Sequence, residues 1–286
     1  MTTASQNISP DHVADYYDRL TDLIGEAAGG NLHFGYWPHP HDGSSLGVAA
    51  DRLTDHLIGK LGDIAGRRVL DVGCGSGRPT VRLARSGPAE VVGVTVSPVQ
   101  IERATALAER EGVADRVRFV RADAMTLPFP DASFDAVWAL ECMFHMPSPA
   151  QVLGEIARVL RPGGRLAVMD VVLREPVARR DRGAVERGRS MFAVPAHIEL
   201  VEYPRLILGA GLRLEELADL GDEIIRPSMD ALGGAVVANS TAYAAAFGVD
   251  SERFDTLVAE WARMNSSLKL GYVVLTAKRP ECPAGG

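Results

Sequence analysis

The segment Val69-Leu70-Asp71-Val72-Gly73-Cys74-Gly75-Ser76-Gly77 constrains the fold of this chain more than any other. A short apolar run, of a length suited to one strand, ends in three glycines at alternate positions. A stretch with helical spacing, led by Pro79, follows. Residues without a Cβ let the backbone bend sharply and let a ligand come close to the main chain. Strand, glycine loop and helix in this order put the loop at the carboxyl edge of a parallel sheet, where doubly wound folds bind their ligands. A dinucleotide fingerprint requires G-x-G-x-x-G, but Arg78 stands in the third glycine's slot, and the spacing is D-x-G-x-G-x-G.

The surrounding pattern repeats the same unit. Strands are expected over 68–72, 91–96, 117–122, 134–140 and 165–172, with helices over 79–86, 98–111 and 149–160 between them. Val- and Leu-rich strands alternating with such helices imply a parallel sheet covered on both faces. Pro79, Pro98 and Pro149 suit first-turn positions, and Gly112 and Gly163-Gly164 follow helix ends. Residues 1–10 read as a loose tail, and helical spacing marks 11–28 and 46–62. Two later strands, about 212–217 and 272–278, flank a helical stretch from Pro227 to Ser267. The expectation is a single domain over 1–286: an α/β, doubly wound, mostly parallel seven-stranded Rossmann-like sheet. Within it, 11–62 forms an N-terminal helical lid and 67–173 the binding core. Residues 174–210 and 222–268 are helical insertions, and 211–221 and 269–279 carry the final strands.

Composition narrows the class. The 286 residues carry a formal net charge of −7, and no basic stripe offsets it, which argues against nucleic acid as a partner. Cys74, Cys142 and Cys282 are odd in number and far apart, so no disulfide framework is expected, and a reducing compartment follows. No secretory n- and h-region opens the chain and no apolar run reaches spanning length, so a cytoplasmic, membrane-free protein is expected. Homo-oligomerisation is compatible with the sequence but not specified by it.

The glycine loop resembles the first motif of the class I S-adenosylmethionine-dependent methyltransferases, and the downstream segments extend the resemblance. Val92 to Gln100 (VGVTVSPVQ) resembles the second-strand motif of the branch containing sterol, tocopherol and bacterial natural-product methyltransferases, the rebeccamycin-type sugar O-methyltransferases among them. Many class I enzymes hold the cofactor's ribose with an acidic residue where this chain has Thr95; in the resembling branch Gln100 and nearby backbone take part of that grip. Ser97 and Gln100 also satisfy S-x-x-Q, a capping box. Arg121-Ala122-Asp123-Ala124-Met125 resembles the adenine motif, in which the aspartate accepts from the exocyclic amine and the next residue lies against the ring; a solvated turn is the other reading of Asp123. Asp135 reads as structural. The segment Leu32-His33-Phe34-Gly35-Tyr36-Trp37 resembles a lid motif, closed by a first helix with tyrosines such as Tyr16 and Tyr17; stapling of the N-terminal segment to the domain is the alternative. The resemblance therefore implies S-adenosylmethionine as cofactor. The residues it implies as binding it are Asp71, Gly73, Gly75, Gly77, Thr95, Gln100, Asp123, Ala124, Tyr16, Tyr36 and Glu141.

On the acceptor side, His145 follows the fourth strand and Asp170 lies in the apolar run of the fifth. A buried charge needs a partner or a function. If the strands are neighbours, both side chains can meet at the sheet's carboxyl edge, and in the resembling sugar O-methyltransferases the matching His and Asp form the base pair. A neutral alcohol is a poor nucleophile, and a histidine titrating near neutrality suits removal of its proton. The expected function is O-methylation of a bulky small natural product, as in antibiotic biosynthesis. C- or N-methylation, or a non-methylating use of the same fold such as cyclisation, are the alternatives. Glu141 reads equally as a positioning group and as a structural one. Met191, Phe192, Val194, His197 and Tyr203 are candidates to line an apolar acceptor pocket. His39, His41 and Asp42 superficially suggest a metal, but no second ligand pair has a convincing spacing, so no metal is expected.

Overall fold

The structure is a computed structural model and describes residues 8–281, except Pro40, Pro88 and Ala196 and the side chains of Met264, Ser266 and Ser267. Cys282 and most of the expected tail lie outside the described residues. Helix α1 (Pro10–Ala27) starts earlier than expected because Ser9 caps it: its hydroxyl accepts from His12 N, and the His12 ring accepts from Ser9 N. Helix α2 (Leu46–Leu61), capped by Ser45, leads to strand β1 (Arg68–Val72). The alternation then runs α3 (Arg78–Ser86), β2 (Glu90–Thr95), α4 (Pro98–Arg110), β3 (Val117–Arg121), β4 (Phe134–Leu140), a 3₁₀ turn over Met143–His145, α5 (Pro149–Val159) and β5 (Leu160–Leu173). Next come α6 (Arg182–Met191), α7 (Tyr203–Gly209), β6 (Arg213–Asp219), α8 (Gly221–Ala238), α9 (Ser240–Phe247), α10 (Ser251–Ser267) and β7 (Leu270–Lys278).

The seven strands form one sheet in the order β3-β2-β1-β4-β5-β7-β6. β1 to β5 are parallel, and β7 runs antiparallel between β5 and β6. Chain order reverses between β1 and β4, and the carboxyl ends of strands at such a switch leave a crevice. Strand periodicity divides the core into two faces. Val137 and Ala139 of β4 point to the face covered by α5 and α7, while Ala136, Trp138 and Leu140 point to the opposite face, beneath α2 and α3. The same parity in β5 puts Val168 and Val172, and with them Asp170, on the α5/α7 face.

Part of the expected 174–210 insertion belongs to the sheet's cover. Tyr203 and Ile207 of α7 are fully buried in the principal core against α5, because an apolar pair one turn apart needs a sheet face to bury it. The helical stretch expected from Pro227 begins earlier, since α8 starts at Gly221 and carries Pro227 within it. Pro227 has no N–H for the Glu223 carbonyl one turn earlier. Trp37 N donates to that carbonyl at 3.2 Å, and Gly35 N donates to Ser228 Oγ at 3.0 Å. The proline thus opens an acceptor to which the 33–37 strap binds.

Candidate active site

Two cavities meet above the carboxyl ends of β1 and β4. The first is a cleft of about 90 Å³ floored by the glycine loop; the second is a largely apolar chamber of about 260 Å³ walled by α1, α6 and α8 to α10. Tyr17, Leu32, His33, Glu141 and His145 line both, so they form the neck between them.

In the cleft, the glycine loop turns with positive φ at Gly73 (72°) and Gly75 (53°). A Cβ on Gly73 would sit 2.4 Å from Cys142 Cβ, so only glycine fits there. Gly77 does not line the cleft. It is the left-handed N-cap of α3, and its missing Cβ admits Ala104 and Phe119, so its role is close packing of helix on sheet. Asp71 lies at the cleft floor, accepts from the Thr80 hydroxyl at 2.6 Å, and is pushed up to about 7 by burial. Asp123 Oδ1 accepts from Met125 N at 2.8 Å, so the turn role is real, and both it and Ala124 line the cleft.

Thr95 and Gln100 also line the cleft but bond to each other: the Thr95 hydroxyl donates to Gln100 Oε1 at 2.6 Å. Ser97 caps α4 as expected, accepting from Gln100 N at 3.0 Å. The reciprocal half of the capping box is absent, because the Gln100 side chain turns to Thr95 and to Thr21 of α1. The Ser97 hydroxyl donates to Asp18 of α1 as well, so α1 is tied to the second-strand motif at two points.

Two aromatic expectations are corrected. Tyr36 lines neither cavity; its ring packs edge-on to His56, at 5.6 Å between centroids, against the core. Tyr16 lines the chamber rather than the cleft, and Tyr17, one residue along α1, reaches the neck. Phe34, Gly35 and Trp37 staple the strap, with Phe34 N donating to Glu141 Oε1 at 2.9 Å. Glu141 also accepts from the Tyr272 hydroxyl at 2.8 Å, and burial pushes it up to about 8.

His145 and Asp170 do not pair. His145 Nδ1 donates to the Ala193 carbonyl at 2.9 Å, which assigns the tautomer, because a carbonyl can only accept. Nε2 therefore accepts, and the Tyr17 hydroxyl donates to it at 2.8 Å. Burial lowers His145 to about 4, below the near-neutral value expected. Asp170 lines neither cavity. It is fully buried on the α5/α7 face, accepts from Val171 N (2.8 Å), Phe144 N (3.1 Å) and the Tyr203 hydroxyl (3.3 Å), and titrates well above the usual carboxylate range because it is desolvated. Tyr203, expected in the acceptor pocket, is its partner in the core instead. Met191, Phe192, Val194 and His197 do line the chamber. Asp135 is structural as expected, accepting from Arg68 N and Arg161. No cluster of three or more metal-ligating side chains occurs among the described residues. Sequence reasoning missed the Tyr17–His145 bond, whose partners lie 128 residues apart and share no motif.

The cleft's chemistry suits a cationic ligand. Asp71, Asp123 and Glu141 line it, and no lysine or arginine does so among the described residues. S-adenosylmethionine, with an ammonium, a sulfonium and an adenine amine, fits that donor set and the glycine cradle; a pyrophosphate would find no cation. A sheet of this order, with this loop at its switch point, is the architecture of the class I methyltransferases. Residues 70–168 match the family model described as a methyltransferase domain, and the chain belongs to the S-adenosylmethionine-dependent methyltransferases. It is 41% identical over 268 residues to the methyltransferase GfsG of Streptomyces halstedii, covering 94% of each chain. It is 40% identical over 274 residues to the 27-O-demethylrifamycin SV methyltransferase of Amycolatopsis mediterranei, covering 96% of this chain and 98% of that protein. Among solved structures, the cyclase SpnF aligns with a TM-score of 0.83 at 32% identity, covering 96% of this chain and 97% of that one.

Proposed function

We propose that this methyltransferase O-methylates a bulky, largely apolar natural product bound in the chamber, with His145 as the base. The observation that carries this reading is the position of His145: it stands in the neck shared by the two cavities, with its unprotonated Nε2 held by a single hydroxyl. The 40% identical relative, named for action on 27-O-demethylrifamycin SV, supports an oxygen acceptor. Bound in the cleft, S-adenosylmethionine supplies a methyl group on a positively charged sulfur.

The chain's own groups supply the rest. Gly73 and Gly75 let the loop backbone approach the cofactor, Asp123 and Ala124 take its adenine, and Thr95 and Gln100 lie at its ribose. The Ala193 carbonyl holds His145 in the tautomer whose Nε2 can accept a proton. The Tyr17 hydroxyl fills that position until an acceptor hydroxyl replaces it. Desolvation keeps the ring neutral over the physiological range, so the base is always available. Asp170 acts only on position, through Phe144 N. The helices and strap over 11–62 form the lid, tied down through Asp18, Thr21 and Glu141, and exclude water from the neck.

His145→Ala should lower turnover at least about tenfold while calorimetry shows S-adenosylmethionine binding unchanged. Unchanged turnover removes His145 from the chemistry. With S-adenosylmethionine saturating at every pH, so that Asp71 and Glu141 of the cleft do not limit its binding, the wild-type rate should also stay flat as pH falls from 8 to about 5, because a histidine lowered to about 4 is still neutral there. A rate that halves near 6.5 would contradict that environment. A second reading rests on the 32% identity to SpnF: the same scaffold used for a non-methylating reaction such as cyclisation. Acceptor consumption without S-adenosylhomocysteine would establish it.

A further inference from the structure

One residue in the chamber's wall carries a polar atom that its surroundings do not satisfy. Phe254, Leu257, Val258, Trp261 and Asn265 of α10 line it, and their spacing is that of one helical face. Asn265 is the polar one of these five, and its Nδ2 is buried without a hydrogen-bond partner. A buried amide donor left unpaired is costly, whereas a leucine of similar volume would only have extended the apolar face. A row of rings separates Asn265 from the base. His145 to Tyr16 is 6.4 Å between centroids, Tyr16 to Phe192 6.5 Å and Phe192 to Trp261 6.2 Å; Asn265 lies one turn beyond Trp261.

The chamber's charge is already balanced. Arg189 is the only arginine or lysine among its described lining residues. Its Nη1 pairs with Glu186 at 2.9 Å, and its Nε donates to the Val194 carbonyl at 3.1 Å. Desolvation keeps His33, His145 and the partly buried His197 neutral, and Glu141 holds its proton up to about 8, so no unpaired charge awaits an ionic group near neutral pH.

We propose that the acceptor is a neutral molecule reaching from His145 to α10, and that an oxygen on its distal part (ketone, ester or ether) accepts a hydrogen bond from Asn265 Nδ2, which a turn of the side chain brings from its unpaired position to the chamber. This rests on reading the chamber as the acceptor site, and it makes Asn265 a specificity-determining residue.

The test is calorimetric binding to the full chain saturated with S-adenosylhomocysteine, so that no turnover is read. The probes are dodecanol, the hydroxyketone of the same chain length with its carbonyl at the far end, and ω-hydroxydodecanoate. Wild type should bind the hydroxyketone about tenfold more tightly than dodecanol, and the carboxylate more weakly than either. Asn265→Leu should bring the hydroxyketone down to dodecanol's affinity, leave dodecanol unchanged, and raise the melting temperature of the ligand-free protein. Equal wild-type affinities, no hydroxyketone binding, tightest binding of the carboxylate, or discrimination that survives in Asn265→Leu would each overturn the proposal. The His145→Ala turnover measurement fails or succeeds independently of this result.

Discussion

Glu141 holds a carboxyl in the neck between the two cavities, on a backbone with φ of 46°. A residue with a Cβ keeps that conformation only when its surroundings impose it, and such sites cluster where function is built. Burial raises its titration to about 8, against about 4.3 in an unfolded chain. The folded state then holds a proton that the unfolded state releases, so this group makes the cofactor-free protein less stable as pH rises between those values. Glu141→Gln keeps an oxygen for Phe34 N and Tyr272 and has no proton to lose. The variant should gain stability relative to wild type by roughly 1 kcal/mol per pH unit between about 5 and 8. Parallel melting temperatures across that range would contradict the buried, proton-holding carboxyl. Single residues were legible in the sequence where a motif carried them. Gly73, Gly75, Asp123, Ala124, Thr95 and Gln100 all line the cleft. Asp170 was misplaced although its parity with Val168 and Val172 was readable, because proximity to a strand end says nothing about which face a side chain takes.

At the scale of elements, the strap and α8 show how a helix defect becomes a joint. Pro227 frees the Glu223 carbonyl, Trp37 N takes it, and Ser228, the next residue, bonds the backbone of Gly35 in both directions. Pro227→Ala would restore the helical donor to that carbonyl, and the Trp37 amide would share or lose its acceptor. Hydrogen exchange at Trp37 should then quicken several-fold while exchange in β1 and β4 stays unchanged. Unaltered exchange at Trp37 would show that the strap does not depend on the proline. The core helices and strands fell close to their expected spans, because period-2 and helical patterns with proline starts are local signals. The expected helical stretch from Pro227 is the exception. The proline's place within α8 depends on a bond from a strap 190 residues away, which no local pattern encodes.

At the scale of the whole molecule, the glycine-loop cleft and the apolar chamber differ in how they are made. The cleft is built largely from turns that follow consecutive strands, so a contiguous run of sequence announces it. The chamber is assembled from α1, α6, α8, α9 and α10, and its apolar faces come together only when the sheet brings the ends of the chain to one edge. That is why S-adenosylmethionine was legible and the acceptor was not. It is also why relatives on one scaffold can differ in their chemistry. On the function proposed above, this neck delivers a methyl group to an oxygen with His145 as base. The most direct measurement incubates the protein with methyl-labelled S-adenosylmethionine and a panel of neutral, hydroxylated, largely apolar natural products, following S-adenosylhomocysteine and the labelled atom by mass spectrometry and NMR. Label should appear on an acceptor oxygen with stoichiometric S-adenosylhomocysteine, both reduced at least about tenfold in His145→Ala. Label on carbon or nitrogen, or acceptor turnover with no S-adenosylhomocysteine, would contradict it.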